Sequence, residues 1–167
     1  MRKLISILVR NHPGVLSHVA GLFTRRGYNI ESIAAGVTEN PDVTRITIVV
    51  SGDEGILEQV TKQLRKLIDV IKVQDLKYSE SITRELVLLT ILVPREQRQE
   101  VIHIANSFGV VVVDIADKTM TMEFVGNERK VHTILQAFNG YRVRDLARTG
   151  IVALPLESKN ERDGTLI

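Results

Sequence analysis

A glycine-terminated pattern that occurs twice constrains this chain most. Two amphipathic stretches, Gly14 to Arg26 and Arg95 to Phe108, each follow an apolar run, Leu4 to Val9 and Leu86 to Val93, and each ends at a glycine, Gly27 and Gly109, 82 residues apart. The first stretch places Val15, Val19, Leu22 and Phe23 on one stripe, and the second does the same with Val101, Ile104, Ala105 and Phe108. That spacing predicts helices with one buried face. After the first glycine, Ile30 to Val37 and Val43 to Val50 are rich in β-branched residues and flank Glu39-Asn40-Pro41-Asp42, a cluster of turn formers, so they read as a hairpin. After the second, Val110 to Ile115 and Met120 to Val125 do the same around Asp117-Lys118.

A second helix completes each half. Ser51-Gly52-Asp53-Glu54 carries the Ser-x-x-Glu pattern of a helix start, and Ile56, Leu57, Val60, Leu64, Leu67 and Ile68 follow at helical spacing. Val70 to Leu76 is then a fourth strand. In the later half, Asn127 is placed to cap a helix reaching about Phe138, and Arg142 to Ala147 starts a strand. The expected fold is α+β: two tandem ferredoxin-like β-α-β-β-α-β domains, residues 1–78 and 79–160, with a polar tail over 161–167. Tyr78-Ser79-Glu80-Ser81 marks the boundary.

Composition narrows the chemistry. Lys and Arg total 22 against 20 Asp and Glu, a net +2 that argues against a nucleic-acid binder despite a pI near 9.0. The inner strands Leu4 to Val9 and Val43 to Val50 hold no aromatic residue for stacking on RNA bases. There is no cysteine, which removes disulfides, thiolate metal sites and cysteine nucleophiles. No apolar run approaches the roughly 20 residues of a membrane helix, and Met1-Arg2-Lys3-Leu4 enters a strand directly, so no membrane role and a cytoplasmic location are expected. No nucleophile–base set, paired-carboxylate site or phosphate loop is evident.

One turn does carry a binding signal. In Asn11-His12-Pro13-Gly14-Val15-Leu16, Pro13 suits a helix's first turn and Gly14 lets a ligand approach the main chain. The first amides of the following helix, at the positive end of its dipole, can receive a small carboxylate. The second half has Val93, Glu96 and Val111 where the 82-residue offset places Asn11, Gly14 and Asn29, so it lacks that receptor. His12, His18, His103 and His132 are scattered, and the separation of six between the first two does not favour a shared helical face. Asp114, Asp117 and Glu123 read as solvated hairpin residues. Arg142, Arg144, Asp145 and Arg148 form a charged strand that could meet a partner.

The segments Asn11-x-x-Gly14-Val15-Leu16, Gly21-Leu22-Phe23, Arg26-Gly27-Tyr28-Asn29-Ile30-Glu31-Ser32 and Gly52-Asp53-Glu54 resemble the small, regulatory subunit of acetolactate synthase (acetohydroxyacid synthase), over residues 1 to about 160. The resemblance implies that the first half is an ACT domain, which pairs with a second copy into one sheet and binds an amino-acid effector at the interface. It implies a non-catalytic subunit with no cofactor of its own, L-valine as effector, and a catalytic large subunit as partner. Thiamine diphosphate, magnesium and FAD are expected on that catalytic subunit only. Carried over by residue, Asn11 would orient the effector, Gly14, Val15 and Leu16 would offer N–H groups to its carboxylate, and Asn29 and Ile30 would come from the neighbouring chain. A stand-alone ACT-type sensor serving another enzyme or regulator is the alternative.

Overall fold

In a computed structural model, residues 1–156 are described. The expected tail over 161–167 lies outside them. The chain forms two compact units, residues 1–82 with 153–156, and residues 83–152.

The first unit runs β1 (Arg2–Arg10), α1 (Val15–Arg26), β2 (Asn29–Val37), β3 (Val43–Ser51), α2 (Glu54–Leu64) and β4 (Val70–Leu76). Its antiparallel sheet has the order β2-β3-β1-β4. Every other residue of the central strands points to the helices, as the pleat requires: Ile5 pairs with Ile48, Ile7 with Ile46, and all four are fully buried. Val15, Val19, Leu22 and Phe23 of α1 and Leu57, Val60 and Leu64 of α2 complete that core. The Phe23 ring meets Tyr28 edge to face at 6.3 Å. Phe23→Ala is expected to destabilise the first unit by about 3–5 kcal/mol through the cavity and the lost ring pair, measurable by denaturant titration.

The second unit repeats the plan with β5 (Ser81–Leu92), α3 (Arg98–Phe108), β6 (Val111–Ile115), β7 (Thr119–Gly126), α4 (Glu128–Ala137) and β8 (Val143–Arg148), in the sheet order β6-β7-β5-β8. A further short strand, β9 (Val152–Pro155), pairs with β5. The repeat extends to irregularities. Gly27 and Gly109 adopt nearly the same left-handed conformation, φ 65° and 66°, and close α1 and α3 with the same pair of main-chain bonds. The register shifts at Leu8/Val9 in β1 and at Ile30/Ser32 in β2 recur at Thr90/Ile91 in β5 and Val112/Asp114 in β6, each at the same 82-residue offset. Bulges re-aim strands locally, so their recurrence marks two copies of one backbone.

Three expectations change. The helix α2 begins at Glu54, two residues later than the Ser51 pattern places it, and Leu57 N–H donates to the Asp53 carbonyl. Ser51 instead ends β3, where it is held by Arg2 and Asn29 as strand partners. α2 also stops at Leu64, so Leu67 is only partly buried and Ile68 is exposed in the turn beyond it. The stretch from Arg95 is a short 3-10 turn over Arg95–Gln97 before α3 starts. Asn127 caps α4 as expected, its side chain accepting from Lys130 N–H at 2.9 Å.

Candidate functional site

The loop between β1 and α1 is built around one glycine. Gly14 caps α1 with φ 90°, a conformation that an L side chain rarely adopts, and an added Cβ would meet no atom within 4 Å. The loop's other end is anchored by Asn11. Its N–H donates to the Asp42 carbonyl at 2.7 Å, and its side-chain Nδ2 donates to the Pro41 carbonyl at 2.8 Å. The hairpin turn between β2 and β3 therefore sets the loop's position. Because a carbonyl faces it, the group on Pro41 must be the amide NH2, which leaves the exposed Asn11 Oδ1 as an acceptor.

The helix start offers donors. Val15 N–H makes a long bond of 3.3 Å to the His12 carbonyl, and His18 N–H is the first to join the regular ladder, on Gly14 O at 3.0 Å. Among the described residues the N–H groups of Gly14, Leu16 and Ser17 meet no backbone acceptor. Such orphan amides, with the dipole behind them, form an anion receptor. Val15, expected as a donor, is thus largely committed to the turn, and its side chain lies in the core while Leu16 stays half exposed.

Asn29 and Ile30 lie elsewhere. Asn29 pairs with Ser51, which pairs with Arg2, at the start of β1, whereas Asn11 follows its end. The two groups of residues are separated within one chain by the length of β1, roughly 26 Å at about 3.3 Å per residue. One chain brings Asn11, Gly14, Val15 and Leu16 together and leaves Asn29 and Ile30 at the opposite end of the sheet.

The second unit has no counterpart to this receptor. Glu96 stands at the position of Gly14 by the offset, and among the described residues none other than glycine has positive φ. That region instead forms a concavity of about 480 Å³ lined by Leu92, Val93, Pro94, Arg95, Glu96, Asp117 and Lys118. Asp117 is exposed there, as expected, and pairs with Arg95. On β8, Arg148 does not belong to a free charged strand: it grips the buried Glu85 with two bonds, Nε–Oε1 at 3.0 Å and Nη2–Oε2 at 2.6 Å. That pairing raises the Arg148 pKa further above its usual value.

Sequence reasoning missed one acidic residue at the loop. Asp69, in the turn between α2 and β4, accepts from His12 Nε2 on one carboxylate oxygen and from His18 Nδ1 on the other, both at 2.8 Å. Its carbonyl accepts from Arg10 N–H at 2.9 Å. The two histidines share a partner because His12 sits in the loop ahead of α1, where helical spacing does not apply. His12 and His18 lie 57 and 51 residues from Asp69, so no local motif announces the contact. Among the described residues no group of three or more His, Asp or Glu is arranged to hold a metal, and no helix is long and apolar enough to cross a membrane.

The doubled βαββαβ plan, with an open helix start in the first copy alone, is that of an ACT-type module followed by a divergent second copy. Residues 5–72 match the acetohydroxyacid synthase (AHAS) small subunit-like ACT domain, and residues 84–157 match a family described as the small subunit of acetolactate synthase. The chain belongs to the family of acetolactate synthase small, regulatory subunits. It is 45% identical over 157 residues to a probable acetolactate synthase small subunit of Methanothermobacter thermautotrophicus, covering 93% of this chain and 94% of that one. It is 43% identical over 150 residues to the acetolactate synthase small subunit of Mycobacterium bovis, covering 90% and 89%. The crystal structure of the acetolactate synthase small subunit from Thermotoga maritima superposes with a TM-score of 0.86 at 35% identity, covering 95% of this chain and 99% of that one.

Proposed function

We propose that this chain senses valine for acetolactate synthase. In this reading two chains pair through their first domains, valine binds at the interface, and the subunit both activates the catalytic large subunit and makes it subject to feedback in branched-chain amino-acid synthesis. The chain itself does no chemistry. Thiamine diphosphate, magnesium and FAD belong to the catalytic partner, and the assembly works in the cytoplasm.

The observation that carries the reading is the separation, within one chain, of the Asn11–Leu16 loop from Asn29 and Ile30. Among the described residues β2 is an edge of the first sheet, pairing only with β3, and its exposed Ile33 and Val37 leave that edge apolar. A two-fold axis that pairs β2 with its copy antiparallel sets Asn29 of one chain beside Val37 of the other. Val37 leads into the Pro41–Asp42 turn that holds Asn11. The pairing thereby supports a complete site made of the Asn11–Leu16 loop from one chain and Asn29 and Ile30 from its partner. Gly14 and Leu16 N–H groups receive the carboxylate, Asn11 Oδ1 accepts from the ammonium group, and Ile30 with the exposed Leu16 surrounds a small apolar side chain.

Charge-assisted bonds at both ends of a small ligand suit an affinity between micromolar and millimolar, roughly −8 to −4 kcal/mol. Coupling to a catalytic partner of about 1–3 kcal/mol is enough for regulation. The test is calorimetric titration of the purified protein with valine, with leucine and isoleucine as comparators and mass in solution followed in parallel. Saturation at about one valine per chain, in a dimer, is expected. An absence of heat, with no change in assembly, removes the sensor reading and leaves family membership standing. The stand-alone sensor alternative gains no support from the match to small subunits along nearly the whole chain.

A further inference from the structure

We propose that Asp69 is the positioning residue of the carboxylate-receiving loop, and that through His12 it makes effector binding proton-linked. This rests on the loop's assignment above as the effector site.

Asp69 is only 8% exposed, and it holds the loop at three points. Its carbonyl holds Arg10 at the end of β1, one carboxylate oxygen holds His12 within the loop, and the other holds His18 in the second turn of α1. These three contacts bracket Gly14 on both sides.

His12 defines the protonation state of this arrangement. Its Nε2 lies 2.8 Å from Asp69 Oδ1 and its Nδ1 lies 2.9 Å from the Pro13 carbonyl. Both partners are acceptors. A neutral imidazole carries one N–H and can satisfy one of them, whereas the imidazolium donates to both. The observed loop is therefore the geometry of protonated His12.

The bond to Pro13 has a direct consequence for the receptor. No cis peptide occurs among the described residues, so the Pro13 C=O and the Gly14 N–H point in opposite directions across their shared peptide plane. A protonated His12 that draws the Pro13 carbonyl toward itself aims the Gly14 N–H away, to the open side of the loop. When His12 loses its proton while keeping Asp69, the Nδ1 lone pair faces the Pro13 oxygen. The two repel, and the peptide plane that presents Gly14 N–H turns.

The charges around His12 favour the same state. Its hydrogen bond to Asp69, then that to Pro13, hold its pKa above the ordinary 6.5, while burial and Arg10 on β1 oppose this. The bonds from His18 and His12 hold Asp69 below the ordinary 3.8. Asp42, across the hairpin turn, reaches the loop only through its carbonyl on Asn11. The sign follows: a carboxylate ligand prefers the protonated loop, so binding is strongest below the His12 titration and weakens as pH rises through it. With one linked proton, the Kd rises by up to about tenfold per pH unit above the midpoint.

The test is calorimetric titration of the full chain with L-valine between about pH 5.5 and 9, in buffers of differing ionisation heat, with imidazole NMR following His12 in the free protein. The wild type is expected to take up protons on binding valine near the His12 midpoint. In Asp69→Asn the His12 titration moves to lower pH and the affinity profile moves with it. In His12→Gln, affinity is flat with pH over this range. A loop that Asp69 merely stabilised would lose affinity equally at all pH values. Wild-type binding without pH dependence or proton uptake overturns this inference and leaves the sensor reading intact, as does a profile unmoved in Asp69→Asn. No valine binding at any pH overturns both.

Discussion

Gly14→Asp is expected to fold, to assemble as the wild type does, and to lose valine affinity by about 100-fold or more. The fold survives because the cost is local. The left-handed conformation at φ 90° adds about 1–2 kcal/mol for a residue with a Cβ, and the space around that Cβ is empty. Aspartate also suits a helix cap, where its carboxylate accepts from the second and third N–H groups of the helix, those of Leu16 and Ser17 here. That is the cause of the binding loss. The side chain supplies, from within the chain, the anion that the effector would bring, and its charge repels a second carboxylate. Each charge-assisted bond forgone is worth about 1.5–3 kcal/mol, and about 2.7 kcal/mol corresponds to 100-fold. Gly14→Ala separates the causes, since it adds the strain without the charge and should retain most of the affinity. Calorimetry on both variants, with thermal melts to check folding, decides the matter. A valine response in Gly14→Asp equal to the wild type removes the carboxylate from this loop.

The backbone plan was legible because its signals are local and repeated. Apolar runs rich in β-branched residues, helical stripes and the glycines at 27 and 109 each fix a short stretch without help from the rest of the chain, and they place β1 to β8 in the right order. Even Asn127 could be read as a cap, since its partner Lys130 is three residues away. Local reading failed where a distant contact decides. Ser51 has the sequence of a helix cap, but its β-ladder partners hold it in β3 until the chain can turn at Asp53. Leu67 and Ile68 continue the apolar stripe of α2 past the point where the chain must turn to enter β4, so one is half buried and the other exposed. The strand β9 exists because β5 is there to receive it, and its four residues carry no period of their own.

The candidate site divides in the same way. The motif residues named the loop, and the structure supplied the reason for its shape, namely a left-handed Gly14 and an Asn11 tied to a turn 30 residues away. Nothing in the sequence around Ile68-Asp69-Val70 distinguishes that aspartate from a solvated turn residue, and its two histidine partners become visible only once β4 is laid beside β1. The role of Asn11 shifts for a related reason. An asparagine has two donors and one oxygen, and the hairpin carbonyl takes the donor end, so the oxygen is the end left open to a ligand.

The split site makes its largest claim in mixed assemblies. Homodimers of Gly14→Asp and of Asn29→His should each bind no valine at concentrations that saturate the wild type. A dimer with one chain of each kind should recover one site of two. The reasoning is geometric. Within a chain, Gly14 and Asn29 stand at opposite ends of β1, so under the proposed pairing a site that uses both draws Gly14 from one chain and Asn29 from the other. In the mixed dimer both lesions fall on the same site, and the second site receives an unaltered Gly14 loop and an unaltered Asn29. Asn29 is exposed at the start of β2, and its replacement leaves the same chain's loop untouched. Coexpressing the two variants with different affinity tags, purifying through both tags and titrating with valine gives the count directly. Half a site per chain at near wild-type affinity supports the shared interface. No recovered binding, in a mixed dimer whose mass and melting match the wild type, means that each chain's loop and Asn29 serve the same site. The antiparallel pairing of β2 edges would then have to be abandoned.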